Sequence, residues 1–217
     1  MRIVIMSKAP DAGAVKTRLC PPLSMVDCAR LYECFLRDTL RKVSEIECAS
    51  VVIAYSPADS LPYFNAIADG RFELVLQVGD DLGERITNCA RRFCPTVIMG
   101  ADAPTLPVGY IQLAISRLEN GVDVVFGPAS DGGYYLVGMS EPYLDLLREI
   151  PWSTSAVLSE SLRRCRDLGL NYSMLPEWYD VDTPGDLAHL CRDLSSDRCR
   201  QDAPSTASIL DELRVLV

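Results

Sequence analysis

The sequence predicts an α/β fold, a mostly parallel mixed sheet flanked by helices. Short apolar, β-branched runs recur at residues 2–6, 50–55, 72–77, 95–99, 122–127, 134–139 and 171–175. Most are separated by stretches with apolar residues at helical spacing, the βαβ pattern of a parallel sheet. The 217 residues are 48% hydrophobic and 24% charged, enough for one domain that buries most of its apolar surface.

The elements follow in order. Arg2-Ile3-Val4-Ile5-Met6 reads as a buried strand, too short for a signal-peptide core. No other apolar run approaches the length of a membrane span, so no membrane association is expected. Ser7 to Leu19 then forms a loop at the C-terminal end of that strand, where open α/β sheets bind ligands. Pro10 limits its backbone, and Gly13 permits positive φ or close approach by a ligand. Lys8, Lys16 and Arg18 can converge on a polyanion, most economically a di- or triphosphate. A solvated basic loop is the alternative. A P-loop is excluded, because Val15 stands where that motif needs its second glycine.

Met25, Cys28, Leu31, Tyr32, Phe35, Leu36, Thr39 and Val43 mark the first long helix, with Ser24 and Asp27 as a cap resembling the capping box. Further helices fit residues 82–92, 107–120, 154–168 and 184–194. Strand 134–139 follows 122–127 after a polar turn too short for a crossover helix, which predicts an antiparallel element in the sheet. Residues 195–204 lack periodicity and read as a linker. An amphipathic helix from Ser208 to Leu216 ends the chain and packs back or joins a second copy, as in a homodimer. The division is thus a main domain, 1–194, and an appendage, 195–217.

Composition narrows the function classes. The formal charge of −9 opposes a broad nucleic-acid surface and suits a small anionic ligand on a local basic loop. Nine cysteines, odd in number, scattered and without a C-x-x-C pair, give neither a disulfide framework nor a zinc site. They suit the reducing cytoplasm. His189 is the only histidine and sits among Leu187 and Leu190 on a helix, so a histidine-based hydrolase lacks support.

Three acidic segments carry chemistry. Val97 to Leu106 is a strand ending in Gly100-Ala101-Asp102, which aims Asp102 at the edge of the opening loop. A carboxylate beside a phosphate site is explained by a bridging Mg²⁺ or Mn²⁺; capping of the next helix is the alternative. In Gly127 to Leu136, Asp131, Gly132 and Gly133 offer a carboxylate and approachable backbone N–H groups, or a plain β-turn. Tyr134 and Tyr135 stack on a ring or fill the core. In Trp178 to Leu187, an extended Asp180-Val181-Asp182 puts both acids on one side to share a cation. Thr183, Pro184 and Asp186 read as N-cap, first-turn proline and N3 acid.

Two lesser segments remain. Gly79 and Gly83 let a ligand approach a helix start near Asp81 and Arg85, or else they belong to a capped surface helix. Pro151-Trp152-Ser153-Thr154 forms an acceptor wall, or Ser153 or Thr154 caps the following helix.

In order, Ser7-Lys8-Ala9-Pro10 through Val15-Lys16-Thr17-Arg18-Leu19, Gly100 to Pro104, Gly127 to Tyr135, Pro151 to Thr154 and Asp180 to Pro184 resemble the bacterial DUF2064 proteins. These are provisionally named nucleotide-diphospho-sugar transferases of the glycosyltransferase-A superfamily. The resemblance covers residues 1–194 and implies a Rossmann-like nucleotide-diphospho-sugar transferase (GT-A) fold. It implies a nucleotide diphosphate held by the opening loop through Lys16 and Arg18; Ala9, Pro10, Gly13, Thr17, Gly79, Asp81, Gly83 and Arg85 are expected to bind the nucleotide with them. Asp102 is then the main metal ligand, completed by Asp180 or Asp182. Asp131 would face the sugar or acceptor, and Gly132, Gly133, Tyr134, Trp152 and Ser153 are expected to bind it alongside. One departure stands out: Gly100 occupies the first position of the usual Asp-x-Asp. In the other direction, the opening loop lacks the Gly-rich form of nucleotidyltransferases.

The expectation is metal-dependent glycosyl transfer from a nucleoside-diphosphate sugar to a small acceptor. Lys16 and Arg18 would stabilise the departing diphosphate, and Asp131 would orient or deprotonate the acceptor. The alternatives are nucleotidyl transfer with release of pyrophosphate, and a non-catalytic nucleotide-sugar binding module.

Overall fold

A computed structural model describes residues 1–47 and 49–214. Its strands are β1 (Arg2–Lys8), β2 (Ser50–Ser56), β3 (Glu73–Leu76), β4 (Thr96–Met99), β5 (Val124–Pro128), β6 (Tyr134–Met139) and β7 (Tyr172–Met174). They form one sheet in the order β3-β2-β1-β4-β6-β5-β7. Every strand overlaps an apolar run of the sequence, because a strand covered on both faces reads as a continuous hydrophobic segment. Ile3 and Ile5 enter one apolar cluster and Val4 the other, as period-two alternation requires. β6 alone runs antiparallel, pairing with β4 and β5, as the short turn before it demanded.

Helices α1 (Met25–Ser44), α2 (Leu61–Ala68), α4 (Val108–Glu119), α6 (Pro184–Asp193) and α8 (Pro204–Leu213) supply residues to the larger apolar cluster. α3 (Leu82–Phe93), α5 (Val157–Asp167) and the segment around Leu146, Leu147 and Trp152 supply the smaller. The local signals act as read. Ser24 Oγ accepts from the Asp27 N–H at 3.1 Å, and Thr183 with Asp186 closes a full capping box. Among the described residues no helix is long and apolar enough to cross a membrane. The eight described cysteines are all free thiols; Cys48 lies outside the described residues.

Four expectations need correction. α2 was not foreseen, since eight residues with an early proline show little periodicity. Residues 195–204 are not an aperiodic linker: Ser196 caps a short helix, α7 (Asp197–Asp202). Short polar helices of this kind depend on their caps and neighbours rather than on an apolar stripe. The last helix begins at Pro204 rather than Ser208, and the end of its expected span lies outside the described residues. Its start is fixed by Asp38 of α1, buried, which accepts from the N–H groups of Ser205 at 3.0 Å and Thr206 at 2.8 Å. The helix expected at 154–168 begins only at Val157, so neither Ser153 nor Thr154 is its N-cap.

From β1 the chain winds outward through β2 to β3, then returns to place β4 on the other side of β1. The crevice between the C-terminal ends of β1 and β4 is therefore the switch point where such sheets bind ligands.

Candidate active site at the sheet edge

A cavity of about 820 Å³ opens at this crevice. The opening loop is folded against it by its own backbone: Ala9 N–H donates to Ser56 at 2.8 Å and Ala14 N–H to Asp11 at 3.0 Å. Gly13 takes φ of 83°, the positive value read for it. Val15, before a short 3₁₀ turn at Thr17–Leu19, and Leu19, its last residue, are buried anchors. Between them Lys16 adopts a left-handed backbone, φ 48°, a conformation that costs a non-glycine residue energy. That turn points the Lys16 side chain inward, where it is only 4% exposed.

The acids come from the loop after β4 and from the segment before α6. Val181 N–H donates to the Asp102 carbonyl at 2.9 Å, joining the two segments. Tyr179 Oη lies 3.2 Å from Thr105 Oγ1 and donates to Asp193 Oδ2 at 2.6 Å. From behind, Lys42 of α1 donates to the carbonyls of Pro104 and Leu106, each at 2.7 Å. Asp102 therefore sits on a loop held from two sides and does not cap α4, whose N-cap is Pro107. A Cβ on Gly100 would meet Asp102 Oδ2 at 2.9 Å. Glycine at that position leaves room for the carboxylate that follows.

Lys16 Nζ makes an ion pair with Asp102 Oδ1 and lies 2.8 Å from Asp182 Oδ1. Burial alone would lower its pKa, but the Asp102 and Asp182 carboxylates outweigh that and hold it above the ordinary lysine value. Asp180 is partly buried beside them. Burial first, and then the Asp102 carboxylate, push its carboxyl up to about 7.

The cavity brings together most of the residues read as functional: Lys16, Arg18, Asp81, Arg85, Asp102, Asp131, Gly133, Tyr134, Trp152, Ser153, Asp180 and Asp182. Ala9, Pro10, Gly13, Thr17, Gly79, Gly83 and Gly132 do not line it. Of these, Gly83 serves packing, since a Cβ there would meet Leu147 O at 2.6 Å and the Trp152 ring at 3.0 Å. Gly132 lets the Ser155 backbone approach, with a Cβ distance of 2.4 Å to its carbonyl oxygen. The α3 start is capped by Asp81, which accepts from Glu84 N–H at 2.8 Å. Its backbone donors are thus partly spent, as the capped-helix alternative held. Asp131 Oδ1 accepts from Gly133 N–H at 2.8 Å, within its own turn.

Sequence reasoning missed Gln77 and gave Tyr32 only a helix-face role; both line the cavity. Gln77 is the first residue beyond β3, so the same strand-end rule could have found it. Tyr32 reads as core on the α1 face, and its hydroxyl lies 3.0 Å from Oγ of Ser7, which also lines the cavity. His189 is a helix residue as expected, stacked on Tyr179 with ring centroids 4.2 Å apart.

Among the described residues, no three His, Cys, Asp or Glu side chains form a preassembled metal cage. The donors at Asp102, Asp180 and Asp182 are nonetheless all carboxylates, the type that Mg²⁺ and Mn²⁺ prefer. Asp180 receives no side-chain or backbone hydrogen bond among the described residues. In kind, the donor set fits a hard divalent cation.

The family model described as an uncharacterized protein conserved in bacteria, DUF2064, matches residues 39–154. A solved structure from Desulfovibrio desulfuricans G20, provisionally named a nucleotide-diphospho-sugar transferase, is 33% identical. The match covers 98% of this chain and 94% of that one, with a TM-score of 0.90. A 4-diphosphocytidyl-2C-methyl-D-erythritol synthase from Anaerococcus prevotii DSM 20548 is 9% identical over 90% of this chain and 99% of its own, TM-score 0.57. The inositol-1-phosphate CTP transferase from T. maritima is 14% identical over 95% and 96%, TM-score 0.52. The latter two show the shared Rossmann-like fold. No curated protein matches the sequence.

Proposed function

This chain belongs to the DUF2064 family, and from that premise we propose that it transfers a glycosyl group from a nucleoside-diphosphate sugar to a small, uncharged, hydroxylated acceptor. One observation carries the choice of reaction. The four cations among the cavity's lining residues, Lys8, Lys16, Arg18 and Arg85, all come from the wall made by the opening loop and the α3 start, which also carries Asp80 and Asp81. The other wall, residues 128–135, 150–155 and 176–182, contains no lysine or arginine but supplies Asp131, Asp180, Asp182 and the hydroxyls of Ser153, Thr154 and Ser155. A diphosphate suits the first wall and a neutral polyol the second. A phosphorylated acceptor, which nucleotidyl transfer needs, would meet carboxylates there.

In this reading Arg18 and Lys8, both exposed and free of carboxylate partners among the described residues, bind the diphosphate. Asp131 orients the acceptor hydroxyl through the carboxylate oxygen that its turn leaves over, and takes the proton. The acceptor oxygen bonds to the anomeric carbon as the bond from that carbon to the diphosphate breaks. Arg18 and Lys16 stabilise the charge that grows on the departing diphosphate. A divalent cation held by Asp102, Asp180 and Asp182 would add Lewis-acid neutralisation of the same charge. Nucleotidyl transfer is the second reading, favoured by Gly100, which leaves Asp102 a lone acid at its strand end.

The test is incubation with sugar nucleotides and with nucleoside triphosphates, with Mg²⁺ or Mn²⁺, supplying glycerol or glycerol 3-phosphate as acceptor. Nucleoside diphosphate release that depends on the neutral acceptor is expected. Pyrophosphate release that depends on a triphosphate and the phosphorylated acceptor would overturn the proposal. Asp102→Ala should abolish the extra thermal stabilisation that nucleoside diphosphate plus Mn²⁺ provides; if that stabilisation survives, the site assignment is wrong.

A further inference from the structure

The chain has only three lysines, and all of them serve this site: Lys8 and Lys16 line the cavity and Lys42 holds the Asp102 loop. Lys16 is the unusual one. Lys8 and Arg18, on the same loop, are exposed, whereas the Lys16 side chain is buried against Asp102 and Asp182. Its ammonium also lies 6.0 Å from the Tyr32 ring centroid and 5.9 Å from that of Phe35. The ammonium thus occupies one oxygen of each carboxylate, Asp102 Oδ1 and Asp182 Oδ1, at the place where a divalent cation bridging the two would sit. Two cations cannot share those oxygens without strong like-charge repulsion at close range.

We propose that Lys16 is a resident cation which a divalent metal ion displaces from Asp102 and Asp182, so that metal loading releases Lys16 to the ligand's diphosphate. The inference rests on the metal-and-diphosphate reading of the site. Lysine suits this role, as a compact charge on a flexible four-carbon stem. A displaced ammonium left buried without a partner is costly. Metal alone therefore binds weakly, because it strands Lys16. Metal with diphosphate binds tightly, because the anion gives Lys16 a new partner. By linkage each ligand raises the affinity of the other by the same factor.

The experiment measures Mn²⁺ binding to the full chain without nucleotide, from loss of the free-ion electron paramagnetic resonance signal. Lys16→Gln should bind Mn²⁺ about tenfold more tightly than wild type, within the usual range of such couplings. Adding Asp102→Asn should remove the gain. Equal or weaker binding by Lys16→Gln overturns the displacement proposal alone. Absence of Mn²⁺ binding to both wild type and Lys16→Gln overturns the metal reading beneath it.

A second measurement needs no variant. Lysine acetylation by an N-hydroxysuccinimide ester, read by mass spectrometry, should be slow at Lys16 in metal-free protein and several-fold faster with saturating Mn²⁺. Exposed Lys8 should react rapidly in both. An unchanged Lys16 rate defeats the proposal.

Discussion

Val181 N–H donates to the carbonyl oxygen of Asp102 at 2.9 Å, tying the loop after β4 to the Asp180-Val181-Asp182 segment. Val181 itself is fully buried, with its side chain in the larger apolar cluster. Its neighbours on either side are thereby turned the other way, toward the cavity. That hydrogen bond helps to bring Asp102 and Asp182 together on Lys16.

Gly100→Ala separates geometry from stability. The new Cβ would lie 2.9 Å from Asp102 Oδ2, the movable end of a side chain, so the fold should absorb it for under about 1 kcal/mol. The carboxylate must swing aside, and Mn²⁺-dependent affinity for the tightest-binding nucleoside diphosphate should fall about tenfold or more. Calorimetric titration beside a melting curve checks both; unchanged affinity would contradict the assigned role of Asp102.

Arg18→Ala removes an exposed guanidinium that has no carboxylate partner among the described residues. The melting temperature of the empty protein should stay within error. Nucleoside diphosphate binding should weaken by about 1.5–3 kcal/mol, the usual worth of a charge-assisted hydrogen bond. The remaining binding should depend less steeply on salt.

Asp180→Asn should stabilise the empty protein. Burial and the neighbouring Asp102 push the Asp180 carboxyl from 3.8 to about 7 in the folded chain. Between those values the folded state binds more protons than the unfolded one, so this group's contribution falls as pH rises. The variant's advantage should be absent near pH 4, grow toward pH 7, and level off above it at about 2–4 kcal/mol. Denaturant melts of both proteins across that range test the sign.

Lys42→Met probes the opposite case. Burial, only partly offset by the Asp202 and Asp38 carboxylates, lowers the Lys42 pKa from 10.5 to about 8. Below pH 8 both states keep the proton; between 8 and 10.5 only the unfolded chain does, so stability rises with pH in that window. Relative to Lys42→Met, wild type should gain up to about 3 kcal/mol across it. The variant should also lose metal-dependent nucleotide affinity, since the carbonyls of Pro104 and Leu106 lose their donor. A stability difference that stays flat with pH would refute the depressed pKa.

Much of the fold was legible because its signals are local. Ile3, Val4 and Ile5 announce a strand covered on both faces, and Thr183-Pro184-Gly185-Asp186 announces a helix start. α2 and α7 were not legible, being short, with Phe64 and Ser196 giving little periodicity to read. At the candidate site, the strand-end rule placed Arg18, Asp102 and Asp131 at the crevice whose cavity they line. It misjudged Gly83 and Gly132, whose missing Cβ atoms make room for Leu147, Trp152 and Ser155 rather than for a ligand. Those partners are far away in the chain, and no spacing within a motif reports them.

By itself the sequence determined that a cationic loop and three acidic turns lie beyond strand ends, because strand periodicity and turn residues act over a few positions. It could not decide which of the loop's cations faces solvent and which meets a carboxylate. Only the tertiary structure, by setting β4 beside β1 and folding the segment before α6 across both, brought Asp102 and Asp182 onto Lys16. Asp182 is 166 residues from Lys16 along the chain. A contact over that distance follows from strand order and core packing, which bury one lysine and leave Lys8 and Arg18 in solvent.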